Sequence, residues 1–365
     1  MDRLLDLAGA VVTVGLRQLC CEQGIAGRSF ARSVRNLKSA ASIVMGEELF
    51  RQVVESEGKA VLAASGDDQL ELDWSAGQCR TLPPPDPQGQ ETAAVSRIYA
   101  SCDGVLVPTT TDQEKHKRRA ITLAKRRQMP RQQREQLPAL PARKKGSDQR
   151  YKQIYVSIFY DQTKAHRLVG VTRRKLAGLS RLLRRDAARV HLLAAQERLG
   201  LVDGAVCLRQ HLEDLPLQEV MLDFRHLGEH VTDASRKTLG DGSEAGKRWN
   251  DDLLHTVRHE GYEPFFAKLL DWRGHQRGGK RKVADRLLNY VAERQQMMSY
   301  EQCDRHGWDV GTGPMESMCG VTTDRIKGRG RRWDIANAEA VMALEALHQS
   351  NLWDRYWHKA LYRLN

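Results

Sequence analysis

The chain has 365 residues and a formal net charge of +12, with 58 Lys and Arg residues against 46 Asp and Glu residues. This length is sufficient for one large hydrophobic core and a smaller domain. The basic excess favours a polyanionic partner, such as DNA, RNA or an anionic membrane. No apolar run approaches the ~20 residues of a membrane span, so no such span is predicted.

Export and a disulfide framework are not expected. The N-terminal segment resembles a signal peptide, but Asp2 and Asp6 interrupt its apolar run and no small-residue cleavage site follows. The seven cysteines form no Cys-x-x-Cys pair, which argues against a zinc ribbon. We therefore predict reduced, mostly buried thiols in a cytoplasmic protein.

Residues 1–65 have the pattern of a helical domain, with two or three short helices around Gly46. A helix-turn-helix would suit this pattern. However, the last helix carries four glutamates and a single arginine, Arg51, which is a poor surface for a DNA groove. A plain helical domain is therefore favoured. A polar segment that contains four prolines then predicts a stiff linker over residues 66–92.

The first strong strand signal is SRIYASCDGVLVPTT, in which Asp103 interrupts an apolar run. The Asp103-Gly104 pair is also a strong turn signal. A hairpin and a single strand that carries an acid are therefore equally compatible with this stretch.

Residues 111–150 contain 13 Lys and Arg residues against four Asp and Glu residues, a net charge of 13 − 4 = +9. Three prolines argue against one long helix here. A solvated loop would explain the charge, but its concentration in one segment favours phosphate contact. The candidate DNA-binding residues are Lys117, Arg118, Arg119, Lys125, Arg126, Arg127, Lys144 and Lys145.

Strand signals return at Tyr151. YKQIYVSIFYDQT and HRLVGVT predict two adjacent strands, and a leucine-rich helix follows them. GLVDGAVCL then predicts a strand around Asp203, and EVMLDFRHLGEHV predicts a strand that passes into a helix. Residues 231–305 have only helical patterns.

This order of elements matches the α/β ribonuclease-H-like fold, a mixed sheet flanked by helices. Its first and fourth strands are neighbours, which would bring Asp103 and Asp203 together. Residues 93–230 would then form the first part of the core, residues 231–305 a helical insertion, and residues 306–365 the last catalytic helix and the C-terminal helices.

The last helix is predicted to begin at Pro314 and to carry Glu316 in its first turn. Capping of the helix would by itself explain a carboxylate there. Helical spacing places Glu316, Gly320, Thr323 and Lys327 on one face and Met315, Cys319, Thr322 and Ile326 on an apolar stripe. A basic tail that could contact phosphate follows, with Arg325, Lys327, Arg329, Arg331 and Arg332. For Trp333, core packing is favoured over base stacking.

Asp103, Asp203 and Glu316 together would supply oxygen ligands for two Mg²⁺ or Mn²⁺ ions ~3.5–4 Å apart, as phosphodiester cleavage at a two-metal site requires. Without cations, three such carboxylates would repel one another and their pKa values would rise. The acids therefore imply the cofactor.

The chain resembles the DDE transposases of bacterial insertion sequences, most closely the ISKra type. The resemblance rests on Cys102-Asp103-Gly104, Val202-Asp203-Gly204-Ala205, Leu222-Asp223-Phe224-Arg225-His226 and Gly311-Thr312-Gly313-Pro314-Met315-Glu316-Ser317, and it covers residues 95–357. It implies a metal-binding triad of Asp103, Asp203 and Glu316, with Asp223 and His226 in support. It also implies transposon-end cleavage and strand transfer on double-stranded DNA, a homodimer or higher oligomer, and a bacterial cytoplasmic, nucleoid-associated location.

Two alternatives remain open. His226 and His230 could ligate zinc with Asp223 and with Glu229 as base, although structural support and DNA positioning both rank above this reading. At the level of function, the alternatives are a transposase-derived DNA-binding protein without chemistry and a metal-dependent nuclease without strand transfer.

Overall fold

The computed structural model describes residues 12–67, 69–82 and 94–362. Five strands form one mixed sheet in the order β3-β2-β1-β4-β5. Strand β2 is antiparallel to β1 and β3, whereas β4 and β5 run parallel to β1. The strands are β1 (Arg97–Pro108), β2 (Tyr151–Asp161), β3 (Arg167–Thr172), β4 (Glu197–Val202) and β5 (Glu219–Leu222).

Helices flank the sheet, which confirms the predicted α/β class. Among the described residues, three precede it: α1 (Val14–Ala26), α2 (Phe30–Ala41) and α3 (Glu47–Gly66). Four lie between strands: α4 (Asp112–Arg127), α5 (Arg131–Glu135), α6 (Lys175–Arg189) and α7 (Val206–Glu213). After β5 come α8 (Phe224–Leu239), α9 (Glu244–His259), α10 (Tyr262–His275), α11 (Gly278–Ala292), α12 (Tyr300–His306), α13 (Gly313–Asp324), α14 (Ile335–Gln349) and α15 (Trp353–Tyr362).

Strand β1 runs without interruption through Asp103-Gly104, so the hairpin alternative is wrong. It pairs with β2 from Ile98 opposite Asp161 to Pro108 opposite Tyr151. A Cβ on Gly104 would overlap the side-chain amide of Gln153. The glycine therefore gives room to a side chain of the neighbouring strand and does not turn the chain.

The two faces of the sheet are covered by different helices. Gly170 of β3 faces Leu182 and Asp186 of α6, whereas Asp103 of β1 faces Cys319 of α13. Helices α6 and α7 pack together on the first face, and α13 and α14 pack together on the second. Side chains alternate between the two faces along a strand. The contact with Cys319 shows that Asp103 points to the face that α13 covers.

The N-terminal helices pack onto the second face through α14 and share its core. The Phe30 ring lies 5.8 Å from the rings of both Phe50 and Trp333. The first part of the predicted linker also packs inward, because Leu70 and Trp74 are buried. Pro83, Pro84, Pro85 and Pro87, on which that prediction rested, lie outside the described residues.

The contact between α3 and α14 depends on Gly58. A Cβ at this position would overlap the backbone carbonyl of Ala340, which cannot move as a flexible side chain would. We expect Gly58→Ala to lower the free energy of unfolding by about 1–3 kcal/mol, as overpacking does in well-packed cores. Urea denaturation would measure this. Gly66→Ala is the matched control, because open space surrounds Gly66 on the same helix; an equal loss in both variants would contradict the prediction.

Among the described residues, no helix is both long enough and apolar enough to cross a membrane.

Candidate metal centre and nucleic-acid surface

Three aspartates lie in one row across the parallel strands. Ser101 of β1 pairs with Leu201 of β4, so Asp103 and Asp203 each lie two residues beyond that pair. Val202 of β4 pairs with Leu222 of β5, so Asp203 and Asp223 each follow directly. The Asp223 amide donates to the Val202 carbonyl at 2.8 Å, which extends the pairing to this level. Since neighbouring strands lie about 4.8 Å apart, the register places the three acids side by side.

Asp103 lies between the sheet and α13. Its Oδ1 accepts from the Gly104 amide at 2.5 Å, and its Oδ2 accepts from the Cys319 thiol at 3.6 Å. Burial raises the pKa of Asp103 and the charge of Asp203 raises it further, against the lowering effect of the Gly104 and Cys319 hydrogen bonds and of His226. Asp103 thus lies at the contact between β1 and α13, next to Asp203 in the row.

The raised pKa of Asp103 predicts a cost to the metal-free protein. When the pKa of a carboxyl is higher in the folded than in the unfolded protein, the folded protein loses stability as the pH rises through the folded-state pKa. We expect Asp103→Asn to raise the melting temperature of the metal-free protein at neutral pH by roughly 1–3 °C. Differential scanning fluorimetry in EDTA would test this. A melting temperature below that of the wild type would show that the Asp103 hydrogen bonds outweigh its charge.

Glu316 lies in the first turn of α13. Asp223, His226 and Glu316 each offer a ligand atom, and these atoms all lie within 4.8 Å of one another. Glu316 is half-exposed, and its Oε2 lies 3.6 Å from Nη1 of the exposed Arg225. The structure therefore groups Glu316 most closely with Asp223 and His226. The resemblance implied only a supporting role for these two residues.

Asp223 joins the first turns of α8 and α13. Its side chain is 2% exposed. Oδ2 accepts from both the amide and the hydroxyl of Thr312 at 2.5 Å, and Oδ1 accepts from the His226 amide at 3.0 Å. Burial acts to raise the pKa of Asp223, but the hydrogen bonds from Thr312 and His226 prevail and lower it. Asp223 is thus held as an anion that fixes Glu316 relative to His226.

The two histidines of the zinc alternative have different surroundings. Nδ1 of His226 is buried without a hydrogen-bond partner in the described part of the chain and lies 3.7 Å from Oδ1 of Asp223. His230 instead stacks on Tyr290 with ring centroids 3.7 Å apart. Burial and the positive charge of Arg294 lower the pKa of His230. This arrangement favours a structural role for His230 over a place beside His226 on zinc.

The helices predicted for residues 231–305 are confirmed, and they support the aspartate row from its far side. Nε of Arg294 donates to the Gly204 carbonyl at 2.9 Å, directly after Asp203. The Tyr300 hydroxyl donates to the Leu222 carbonyl at 2.9 Å, directly before Asp223. Gly204 has φ +94°, a conformation that favours glycine. The turn after Asp203 is therefore held by the inserted helices.

The donor set fits a hard divalent cation. Carboxylate oxygens predominate in it, as Mg²⁺ and Mn²⁺ prefer. The buried and unpartnered Nδ1 of His226 is a further donor next to them. Asp223, His226 and Glu316 thus offer ligand atoms to one cation, and Asp203 and Asp103 follow Asp223 in the row.

Helix α13 largely has the predicted faces. Met315, Cys319 and Thr322 are buried and Ile326 lies just beyond the helix, also buried, whereas Glu316 and Gly320 are exposed. Thr323 was predicted on the Glu316 face but is buried. Its hydroxyl donates to the Cys319 carbonyl at 2.6 Å. Threonine can satisfy its hydroxyl on the preceding turn, so its polarity did not indicate exposure.

The basic tail divides into buried and exposed residues. Arg325, a candidate for phosphate contact, is buried: its Nε donates to the Gly24 carbonyl at 2.9 Å and its guanidinium lies 4.4 Å from the Phe30 ring centroid. The prediction that Arg325 contacts DNA is therefore wrong. Arg325 instead connects the loop after α13 to the N-terminal helices. Lys327, Arg329 and Arg332 remain exposed, and Arg331 is partly buried. Trp333 is buried as predicted, with Nε1 donating to the Ile326 carbonyl at 3.2 Å.

The basic segment between β1 and β2 contains two helices and not one long helix, in agreement with its prolines, and neither helix has a buried residue. Helix α4 ends at Arg127, before Pro130. Lys117, Arg118, Lys125, Arg127, Lys144 and Lys145 are exposed, and Arg119 and Arg126 are partly exposed.

A scan against protein-family models finds no match to this chain, and a search of curated proteins finds no significant match either.

Proposed function

We propose that this protein is a DNA transposase of the DDE kind that cleaves phosphodiester bonds with divalent metal ions and transfers the freed strand to a target. The observation that carries the proposal is that Asp223 belongs both to the row with Asp103 and Asp203 and to the group with His226 and Glu316, whose ligand atoms all lie within 4.8 Å of one another. The sheet order β3-β2-β1-β4-β5, with only β2 antiparallel to both its neighbours, supports a ribonuclease-H-like fold.

The residues have distinct roles in this proposal. Asp103, Asp203 and Glu316 would hold two Mg²⁺ or Mn²⁺ ions, and His226 offers a further ligand atom. When bound, the ions supply an activated attacking oxygen and stabilise the leaving oxygen. Asp223 holds α8 and α13 in register through Thr312. Arg225, which is exposed beside Glu316, can contact the phosphate of an incoming strand.

The proposal extends to partners and location. Double-stranded DNA would be both the cleaved and the target molecule, a homodimer or higher oligomer would join two ends, and the protein would act at the nucleoid in the cytoplasm of a bacterium. The basic segment and the exposed tail supply a surface of matching charge.

A nicking and joining assay tests the function. Wild-type protein is incubated with supercoiled plasmid and a 3′-hydroxyl oligonucleotide duplex, in Mg²⁺, in Mn²⁺ or in EDTA. We expect nicked circles only with the metals, and joined products when the duplex is present. Nicking without joining would indicate a nuclease, and DNA binding without nicking in either metal would indicate a catalytically silent DNA-binding protein.

A further inference from the structure

The basic segment between β1 and β2 folds back on itself as an ordered arm. Residues 112–146 form this arm, with α4 going out and an extended segment returning along it. Nη1 of Arg119 donates to the Pro141 carbonyl and Nη1 of Arg126 to the Pro138 carbonyl, both at 2.7 Å. Because side chains of the helix hold the returning backbone, the arm is preorganised and is not a loose loop.

Backbone hydrogen bonds close the base of the arm. The Asp112 amide donates to the Ser147 carbonyl and the Ser147 amide donates to the Thr110 carbonyl, both at 2.9 Å. The Thr109 amide donates to the Arg150 carbonyl at 2.8 Å. The sheet therefore continues to the point where the arm leaves it, and the arm can be removed there without cutting β1 or β2.

The base of the arm is tied to the basic loop that follows α13, residues 325–334. Glu114 Oε1 lies 3.2 Å from Nη1 of Arg332, and Lys115 Nζ lies 2.5 Å from Oδ1 of Asp334. The Trp333 amide also donates to the Pro108 carbonyl at 3.0 Å. Two basic segments that are distant in sequence thus form one surface.

Acidic side chains at this junction are already paired within the protein. Asp112 pairs with Arg143, and Glu114 and Asp334 pair as described above. The cations farther out have no such partners: Lys117, Arg118, Lys125 and Arg127 on α4, and Lys327 and Arg329 on the loop, are exposed and take part in no ion pair within the described residues. The outer surface therefore carries net positive charge that an external polyanion can neutralise.

We infer that the arm and the 325–334 loop form one docking surface for duplex DNA that flanks the cleaved phosphodiester. The flanking position rests on the proposed function. Helix α4 has 16 residues, and a helix of that length spans about 24 Å, or roughly seven base pairs at 3.4 Å per step. The arm therefore adds a contact of about seven base pairs to the contact made at the metal centre.

The composition of the arm favours duplex DNA over two other polyanions. Residues 112–146 contain no Phe, Trp or Tyr, the side chains on which single-stranded bases stack. The exposed large apolar residues of α4, Ile121 and Leu123, are two positions apart and so project from opposite sides of the helix. No continuous apolar face exists on α4 that would enter a lipid surface.

Equilibrium binding in EDTA, where no cleavage occurs, tests the inference. The variant Lys117→Glu, Arg118→Glu, Lys125→Glu, Arg127→Glu is compared with Arg181→Glu, Arg184→Glu, which changes exposed arginines of α6 on the opposite face of the sheet. Each lost phosphate contact lowers the slope of log affinity against log salt by about 0.9. We expect a clearly shallower slope and at least tenfold weaker binding for the arm variant, and an unchanged slope for the control.

A second variant replaces residues 113–145 by a short Gly-Ser turn, which keeps the closed base. Wild-type affinity should rise when the duplex is lengthened by about seven base pairs, and this gain should vanish without the arm. An unchanged slope and an unchanged length dependence would overturn the inference. So would arm-dependent binding that is stronger for single-stranded DNA or for phosphatidylglycerol vesicles. Circular dichroism shows whether each variant is folded.

The same proteins separate this inference from the proposed function. Wild-type protein that binds duplex through the arm but never nicks plasmid would refute the proposed chemistry and leave the docking surface intact. If the wild-type protein nicks plasmid with the metals but the arm variants bind DNA as the wild type does, only the docking surface is refuted.

Discussion

Replacing Asp203 with Asn is expected to abolish metal-dependent nicking and to leave DNA binding intact. Asp203 occupies the centre of the aspartate row, between Asp103 and Asp223. The amide keeps the shape of the side chain but removes the charge that would hold a cation. Because metal electrostatics supplies several kcal/mol of the barrier reduction, we expect a loss of roughly a thousandfold or more in nicking rate.

The measurement is the initial rate of plasmid nicking in Mg²⁺, together with binding to the same DNA in EDTA. Asp214→Asn is the matched control, because Asp214 is an exposed aspartate at the end of α7, away from the row. If the Asp203→Asn variant nicks the plasmid at more than about a tenth of the wild-type rate, Asp203 is not a metal ligand.

Replacing Asp223 with Ala is expected to lower both stability and nicking. The buried carboxylate accepts three hydrogen bonds, two from Thr312 and one from the His226 amide. Alanine would leave these donors without their partner, at a cost of about 3 kcal/mol or more in the free energy of unfolding. The same change would free α13 from α8, so Glu316 would lose its fixed position relative to His226.

Urea denaturation measures the loss of stability, and Asp233→Ala provides the control on the same helix, since Asp233 is half-exposed and paired with Lys237. A surface pair of this kind is worth about 1 kcal/mol at most. An equally small effect of Asp223→Ala would show that Thr312 finds other partners.

The pH dependence of this variant follows from the lowered pKa of Asp223. A carboxyl with a depressed folded pKa contributes stability above its unfolded pKa of about 3.9, and this contribution is lost as pH falls through the folded value. Wild-type protein should therefore lose more stability on acidification below about pH 4 than Asp223→Ala does.

The sequence predicted the strands and their order because each has a distinct apolar run. It left Asp103-Gly104 open, since the same dipeptide suits a tight turn and a strand that must admit Gln153 from its neighbour. Local pattern cannot decide between them, because the deciding contact is 49 positions away in sequence. The structure decides for the strand through its continuous pairing with β2.

Contacts between distant residues account for the differences at the site. Asp223 could be recognised as a helix cap, but its bond to Thr312 joins elements 89 positions apart. Arg325 was grouped with exposed cations because its neighbours are basic, whereas Phe30 and the Gly24 carbonyl bury it from the other end of the chain. The composition of a segment describes its average character and does not show which of its residues is buried.

The candidate ligands are spread from Asp103 to Glu316, and Thr312 completes the last link between them. During translation, the sheet and its aspartates emerge from the ribosome well before α13 does. Products of interrupted synthesis that stop before Thr312 would therefore possess the arm and the strand acids but lack Glu316 and the Thr312 contact to Asp223. Under the proposed function, spreading the ligands in this way would confine phosphodiester cleavage to chains that already contain α13.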